Sequence, residues 1–186
     1  PIIVNGVLYA TSANMKVYAL DAATGKARWS FDPFKHWGGK NSWAGTNRGV
    51  TYWSEGNDER IFYSAGPYLM GLDAKTGQPI ASFGDTGRVD MRKELDYQRE
   101  KFFIYANTPG IIYKDNIIMG SRVSEDLSAA PGHIRAFDVR TGKRRWIFHT
   151  IPHPNEKGFE TWQDTTAWLH TGGANNWAGM CLDEKN

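Results

Sequence analysis

Residues 131–148 read Pro-Gly-His-Ile-Arg-Ala-Phe-Asp-Val-Arg-Thr-Gly-Lys-Arg-Arg-Trp-Ile-Phe, and this stretch decides the fold. Ile134–Asp138 has the alternation of a strand, Asp138–Lys143 is a tight turn, and a second strand follows with Trp146 on it. Gly142 can take the positive φ that such a turn needs, while Asp138 and Thr141 can hydrogen-bond the turn backbone. The string Asp-x-x-Thr-Gly recurs at Asp21–Gly25 and Asp73–Gly77, so the three copies lie roughly 50 to 65 residues apart. A supersecondary unit repeated at that interval, built from short strands and stereotyped turns, predicts a β-propeller. A β-sandwich is the competing architecture, and it gives no reason for one hairpin to recur.

The first unit runs Pro1–Val4, Asn5-Gly6, Val7–Thr11, Lys16–Leu20, the Asp21–Lys26 turn and Ala27–Phe31 with Trp29. Asn-Gly between two apolar runs is a strong hairpin signal. The order restarts with Gly49–Trp53, Arg60–Ser64, Tyr68–Leu72, the Asp73–Gln78 turn and a last strand ending at Phe83, with Ala81 where Trp29 stood. A charged insertion, Gly84–Ile104, follows, with helix expected around Met91–Gln98. A third unit comprises Gly110–Tyr113, Ile117–Gly120, a loop over Ser121–Gly132 and the hairpin quoted above. Thr150–Gly173 is a long connection, and Asn176–Leu182 is expected to open a fourth unit. The units thus cover about 1–33, 49–84 and 110–149, with the fourth beginning near 174.

Composition narrows the function classes. With 186 residues and 40% hydrophobic content, the chain can bury a sizeable core. A net charge of +2 with no long Lys/Arg run argues against nucleic acid as a partner. No apolar run approaches the roughly 18 residues of a membrane span. The lone Cys181 excludes an internal disulfide. The chain opens on the apolar Pro1-Ile-Ile-Val4, without a Met start, and is read as a piece of a longer protein.

The strand order sorts the connections into two faces. The Asn-Gly-type turns and the Asp-x-x-Thr-Gly turns share one end of each unit. The individual loops, His36–Arg48, Gly84–Thr108, Ser121–Gly132 and Thr150–Asn176, share the other. Function belongs on variable loops held by a rigid scaffold, so the site is expected there, near the propeller axis. On that face Arg48 offers a planar, permanent cation, and Glu125 offers a hard oxygen ligand of the kind calcium takes. His149 and His153 flank Thr150–Pro152, where loop hydrogen bonding is favoured over a general-base role.

The repeated Ala-x-Asp-x-x-Thr-Gly-Lys-x-x-Trp pattern resembles the tryptophan docking motif of the quinoprotein dehydrogenases. The strings Leu72-Asp-Ala-Lys-Thr-Gly77 and Ala130-Pro-Gly-His-Ile-Arg-Ala-Phe137 are similar to those of the family, and Asn47-Arg-Gly-Val-Thr-Tyr-Trp53 and Gly173-Ala-Asn-Asn-Trp-Ala-Gly179 most resemble its glucose and polyol dehydrogenase branch. The resemblance covers essentially the whole chain. It implies an all-β, eight-bladed propeller carrying pyrroloquinoline quinone (PQQ) and usually Ca2+, of which this chain supplies about three blades and the start of a fourth. It implies that Arg48 binds the cofactor carboxylates, that the cofactor stacks on Trp177, and that Thr108 and Asn175 are polar cofactor contacts. It implies Glu125 as the metal ligand, with neighbouring Asp126 an alternative. The family's catalytic aspartate and a calcium-binding asparagine would lie downstream of residue 186, so no catalytic residue is assigned within the chain, and the fragment alone is expected to be inactive.

The substrates implied are sugars, polyols or alcohols, the electron acceptor a cytochrome or membrane quinone, and the location periplasmic or extracellular. Ser42 and Trp43 stand near where methanol-oxidising relatives carry adjacent cysteines, which argues against a methanol-type enzyme. The competing function is a non-catalytic propeller, a scaffold or assembly factor that uses the same repeat.

Overall fold

In the computed structural model, which describes residues 1–39, 46–95, 102–126 and 128–185, each Asp-x-x-Thr-Gly string closes its hairpin with one shared set of bonds. The Thr24, Thr76 and Thr141 hydroxyls donate to Asp21, Asp73 and Asp138 at 2.8, 2.8 and 2.9 Å. The following glycine N–H returns to the aspartate carbonyl at 2.8 Å in all three copies. These aspartates are turn locks, as their spacing predicted.

The strands β1 (Ile2–Val4), β2 (Val7–Thr11), β3 (Val17–Asp21) and β4 (Ala27–Phe31) form one antiparallel sheet in chain order. A short helix α1 (Pro33–Trp37) leaves it, capped by Asp32, whose carboxylate accepts the Phe34 and Lys35 N–H groups. The second sheet orders β5 (Thr51–Glu55), β6 (Asp58–Ala65), β7 (Tyr68–Asp73) and β8 (Arg88–Asp90). Beyond β9 (Ile104–Tyr105) come β10 (Ile111–Tyr113), β11 (Asn116–Met119), β12 (Arg122–Val123), β13 (Ile134–Asp138) and β14 (Arg144–Phe148). The third sheet is β10-β11-β13-β14, and β12 pairs with β9 in a separate two-stranded ribbon.

Alternation along β6 shows how the sheets stack. Ile61, Tyr63 and Ala65 pack with Val7, Tyr9, Val17 and Ala19 of the first sheet. Phe62, between Ile61 and Tyr63, packs with Ile117, Met119 and Phe137 of the third. The second sheet therefore lies face to face between its neighbours, as a propeller blade must. The turns also gather at one end of every sheet: Ala22 and Val139 donate N–H to Gly6 O and Asp115 O in the β1–β2 and β10–β11 turns, and Ala74 N–H to Glu59 O at the start of β6, all at 2.9 Å.

Three local expectations are corrected. The second unit does not end in a strand at Phe83. After an isolated bridge between Leu72 and Pro79 the chain leaves the ladder, Phe83 turns fully inward onto Phe62 with ring centroids 5.2 Å apart, and β8 at Arg88–Asp90 supplies the fourth strand. Ile80 N–H still donates to Gly71 O at 2.9 Å beyond Pro79, but Phe83 N–H then turns back to Ile80 O at 2.8 Å and the pairing ends. The expected helix is absent over Met91–Leu95, which is turn and bend with Glu94 at φ 58°; residues 96–98 of that expectation lie outside the described residues. Asn176–Leu182 forms no strand, because a strand requires a ladder and no described residue supplies its partner.

The two seams between blades are built differently. At the first, Trp29 Nε1 donates to the Ala74 carbonyl at 3.0 Å, and a Cβ on Gly77 would fall 2.5 Å from the indole. Only glycine, already at φ 72°, fits under that ring. At the second, the seat of the indole is taken by backbone: Gly84 N–H donates to Thr141 O at 2.8 Å, and a Cβ on Gly142 would lie 2.8 Å from Gly84 N. Arg60, 7% exposed, reinforces this seam by donating to the Val139 and Arg140 carbonyls at 2.9 Å while Asp58 holds its other edge.

Asp138 sets an acid limit on the third blade. Burial pushes its carboxyl up, but hydrogen bonds from Arg145, Thr141 and the Arg140 N–H outweigh this and hold it at about 2, against an ordinary value of 3.8. A depressed folded-state value means the stabilisation is fully present above about pH 4 and is lost as pH falls toward 2. Asp138→Asn is expected to cost about 1–2 kcal/mol at pH 7, discounted because Arg145 is 57% exposed, and urea titrations should show the gap from wild type closing below about pH 3.

Candidate functional site

The loop face is assembled from segments far apart in sequence. Asn47 fastens the first of them: its amide nitrogen donates to the Ser64 carbonyl on β6, and its oxygen accepts the Gly49 N–H at 2.8 Å. Arg48, held between these anchors, donates its backbone N–H to Asn107 O at 2.8 Å and leaves its side chain exposed. Gly49, at φ 131°, takes the backbone away from the arginine.

Trp177 arrives from the opposite direction. The segment before it lies so close to the third blade that side chains are excluded: a Cβ would sit 1.8 Å from Ala129 O at Gly172, 2.3 Å from Asn175 Cβ at Gly132, and 2.1 Å from Asn176 O at Gly120. Gly132 N–H donates to Gly173 O and Gly173 N–H to Ala130 O, at 2.9 and 3.1 Å. Asn175 Nδ2 donates to the Ser121 carbonyl at 2.9 Å, and the Thr108 hydroxyl donates to the Trp177 carbonyl. Thr108 and Asn175 therefore fix the backbone on either side of the indole.

The outcome is a pair. The Arg48 guanidinium carbon lies 5.2 Å from the centroid of the Trp177 ring, and the indole remains 50% exposed. A cation over an aromatic face contributes about 0.5–1 kcal/mol at an exposed site. A crevice of about 10 Å³ lined by Thr108, Ser121 and Trp177 is too small for a ligand. A cleft of about 540 Å³ lies between β8 and the Thr141–Lys143 turn and contains none of these residues.

Glu125 and Asp126 are exposed just beyond β12. The Ser128 hydroxyl binds Asp126 at 2.8 Å, and no described bond joins Glu125 to Arg48 or Trp177. Ser42 and Trp43 lie outside the described residues. His149 hydrogen-bonds Glu156 at 2.7 Å within the long connection, consistent with a loop-bonding role.

Comparison with known proteins places the chain in a family. The family model described as the β-propeller domain of PQQ-type glucose/ethanol/alcohol dehydrogenases matches residues 1–186. The chain belongs to that family. As a family member it is 35% identical, over 198 residues, to the dehydrogenase subunit of the quinone-type alcohol dehydrogenase of Gluconacetobacter polyoxogenes. It is 30% identical to the quinoprotein glucose dehydrogenase of Gluconobacter oxydans over 208 residues. Both alignments cover 98% of the chain, but only 25% and 24% of the relatives, so the chain spans about a quarter of their length. The solved quinohemoprotein alcohol dehydrogenase of Pseudomonas putida superposes on all of the chain with a TM-score of 0.74 at 27% identity, and 26% of that structure is covered. The fold is part of a β-propeller, as the repeated hairpin predicted.

Proposed function

We propose that this chain is part of a PQQ-dependent dehydrogenase that oxidises a sugar, polyol or alcohol hydroxyl. The observation that carries the proposal is the exposed Trp177 indole with the Arg48 guanidinium beside it, held on the loop face by backbone anchors on both sides. PQQ is flat, aromatic and carries three carboxylates. A half-exposed indole offers a stacking plane for its ring system, and the neighbouring guanidinium offers a cation for its carboxylates. A bound PQQ would supply the redox chemistry, taking from the substrate carbon a hydride that carries both electrons.

The residues of this chain bind and orient. Trp177 supplies the stacking plane, and Arg48 supplies fixed positive charge for a carboxylate. Thr108 and Asn175 hold the indole in place through the Trp177 carbonyl and the Ser121 carbonyl. Glu125 would contribute one carboxylate to a calcium site, whose hard oxygen ligands would also come from outside this chain. The electron acceptor proposed is a cytochrome or membrane quinone, and the location proposed is periplasmic or extracellular.

The test uses the full-length protein reconstituted with PQQ and Ca2+, screened with glucose, polyols and small alcohols in the presence of an artificial electron acceptor. Substrate-dependent dye reduction is expected. Trp177→Ala should weaken PQQ binding by about 10- to 100-fold, the loss of about 1–3 kcal/mol of stacking. Absence of both turnover and PQQ binding in the wild type would overturn the proposal.

A further inference from the structure

The connection between the third blade and Trp177 brings three imidazoles together. His133, at the foot of β13, is 3% exposed, while His149 and His153 are half-buried on the connection. One ring nitrogen of each lies within 4.8 Å of the others. The His149 and His153 rings stack with centroids 3.7 Å apart and planes 12° from parallel, and His133 meets His149 edge-on at 4.8 Å. Trp168 covers His153 at 4.6 Å.

The surroundings prepare these nitrogens for ligation. Glu156 Oε1 is 2.7 Å from His149 Nδ1, and a carboxylate only accepts, so the proton sits on Nδ1 and the lone pair on Nε2. The other Glu156 oxygen accepts the His153 N–H at 2.8 Å, which fixes the carboxylate in place. A carboxylate on the far nitrogen of an imidazole is the usual outer support of a metal-bound histidine. On His133 the Thr150 N–H donates to Nδ1 at 3.1 Å, marking that nitrogen as the lone-pair bearer.

We propose that His133, His149 and His153 bind one divalent transition-metal cation of the zinc type, which pins the long connection to the third blade. Three neutral imidazoles suit such an ion, whereas calcium takes hard oxygen ligands; one protein can therefore hold both without exchange. Metal–nitrogen bonds of about 2.0–2.1 Å place ligand nitrogens about 3.3 Å apart in a tetrahedral site. Closure from the present 4.8 Å requires the stacked His149 and His153 rings to turn toward a common centre, and His133 to exchange its Thr150 N–H for the metal. A water completes the fourth position.

The test uses the full-length protein, stripped with chelator and titrated with Zn(II), with Co(II) as the spectroscopic probe. One zinc per chain is expected to bind with nitrogen-rich ligation by X-ray absorption, raising the wild-type melting temperature. His153→Gln should abolish this binding while leaving circular dichroism and the zinc-free melting temperature unchanged. Glu156→Gln, which keeps all three ligands, should weaken zinc affinity by about 10- to 100-fold. Equal zinc binding by wild type and His153→Gln, oxygen-only coordination, or no stoichiometric binding at micromolar zinc would each overturn the proposal.

Discussion

Trp29→Ala will cost the full-length protein about 3 kcal/mol of stability, measured as a shift in denaturant midpoint at unchanged slope. The indole covers Gly77 and donates to the Ala74 carbonyl, so truncation removes apolar area, takes away one of that carbonyl's two donors (the Tyr9 hydroxyl, at 3.1 Å, remains) and opens a cavity between two blades. Tryptophan-to-alanine changes at packed sites cost about 3–5 kcal/mol, and partial exposure of Trp29 places it at the lower end. Trp29→Phe restores the area without the N–H and should recover about half of the loss. A cost below about 1 kcal/mol for the alanine variant would show that the seam does not depend on the indole.

Gly172→Ala will be nearly as disruptive, with a different signature. The added methyl would sit 1.8 Å from Ala129 O, a backbone atom that cannot swing aside as a side-chain tip would. The strain must be relieved by moving the 172–177 segment away from the third blade, which breaks the Gly132–Gly173 and Asn175–Ser121 bonds in turn. The expected cost is about 3 kcal/mol, the upper range for overpacking. Because Trp177 is carried on the displaced segment, PQQ affinity should fall with stability, whereas Trp29→Ala should reduce stability and leave affinity in the folded protein unchanged. Calorimetric titration of PQQ into each folded variant separates the two; unaltered affinity in Gly172→Ala would show that Trp177 is seated independently of the glycine.

What was legible in the sequence follows the range of the forces involved. The three hairpins could be read because their information is local: an aspartate, a threonine and a glycine at fixed offsets close the same turn wherever they occur. The fourth strand of the second blade was not legible. The first pairing ends just after Ile80, and the choice of Arg88–Asp90 as the replacement is decided by Phe83 reaching Phe62 across the core. The proximity of Arg48 to Trp177 could be expected from the shared loop face. The immediate holders of that pair, Asn107 and Ser121, act through backbone carbonyls, which carry no residue signature. The close approaches at Gly120, Gly132 and Gly172 are likewise invisible without the partner backbone. His133 lay in the hairpin quoted first, but its neighbours on the long connection became apparent only in three dimensions.

The unequal seams make the blades separable by choice of solvent. Urea and guanidinium both weaken apolar contacts and will loosen the indole that joins the first two blades. Guanidinium also resembles the side chain of Arg60, and it competes for the Val139 and Arg140 carbonyls that the arginine occupies. Arg140 adds ion pairs to Glu55 and Asp115 that dissolved ions screen. The second and third blades should therefore part early in guanidinium and late in urea, so that the identity of the denaturant, rather than its strength, selects which blade boundary opens first.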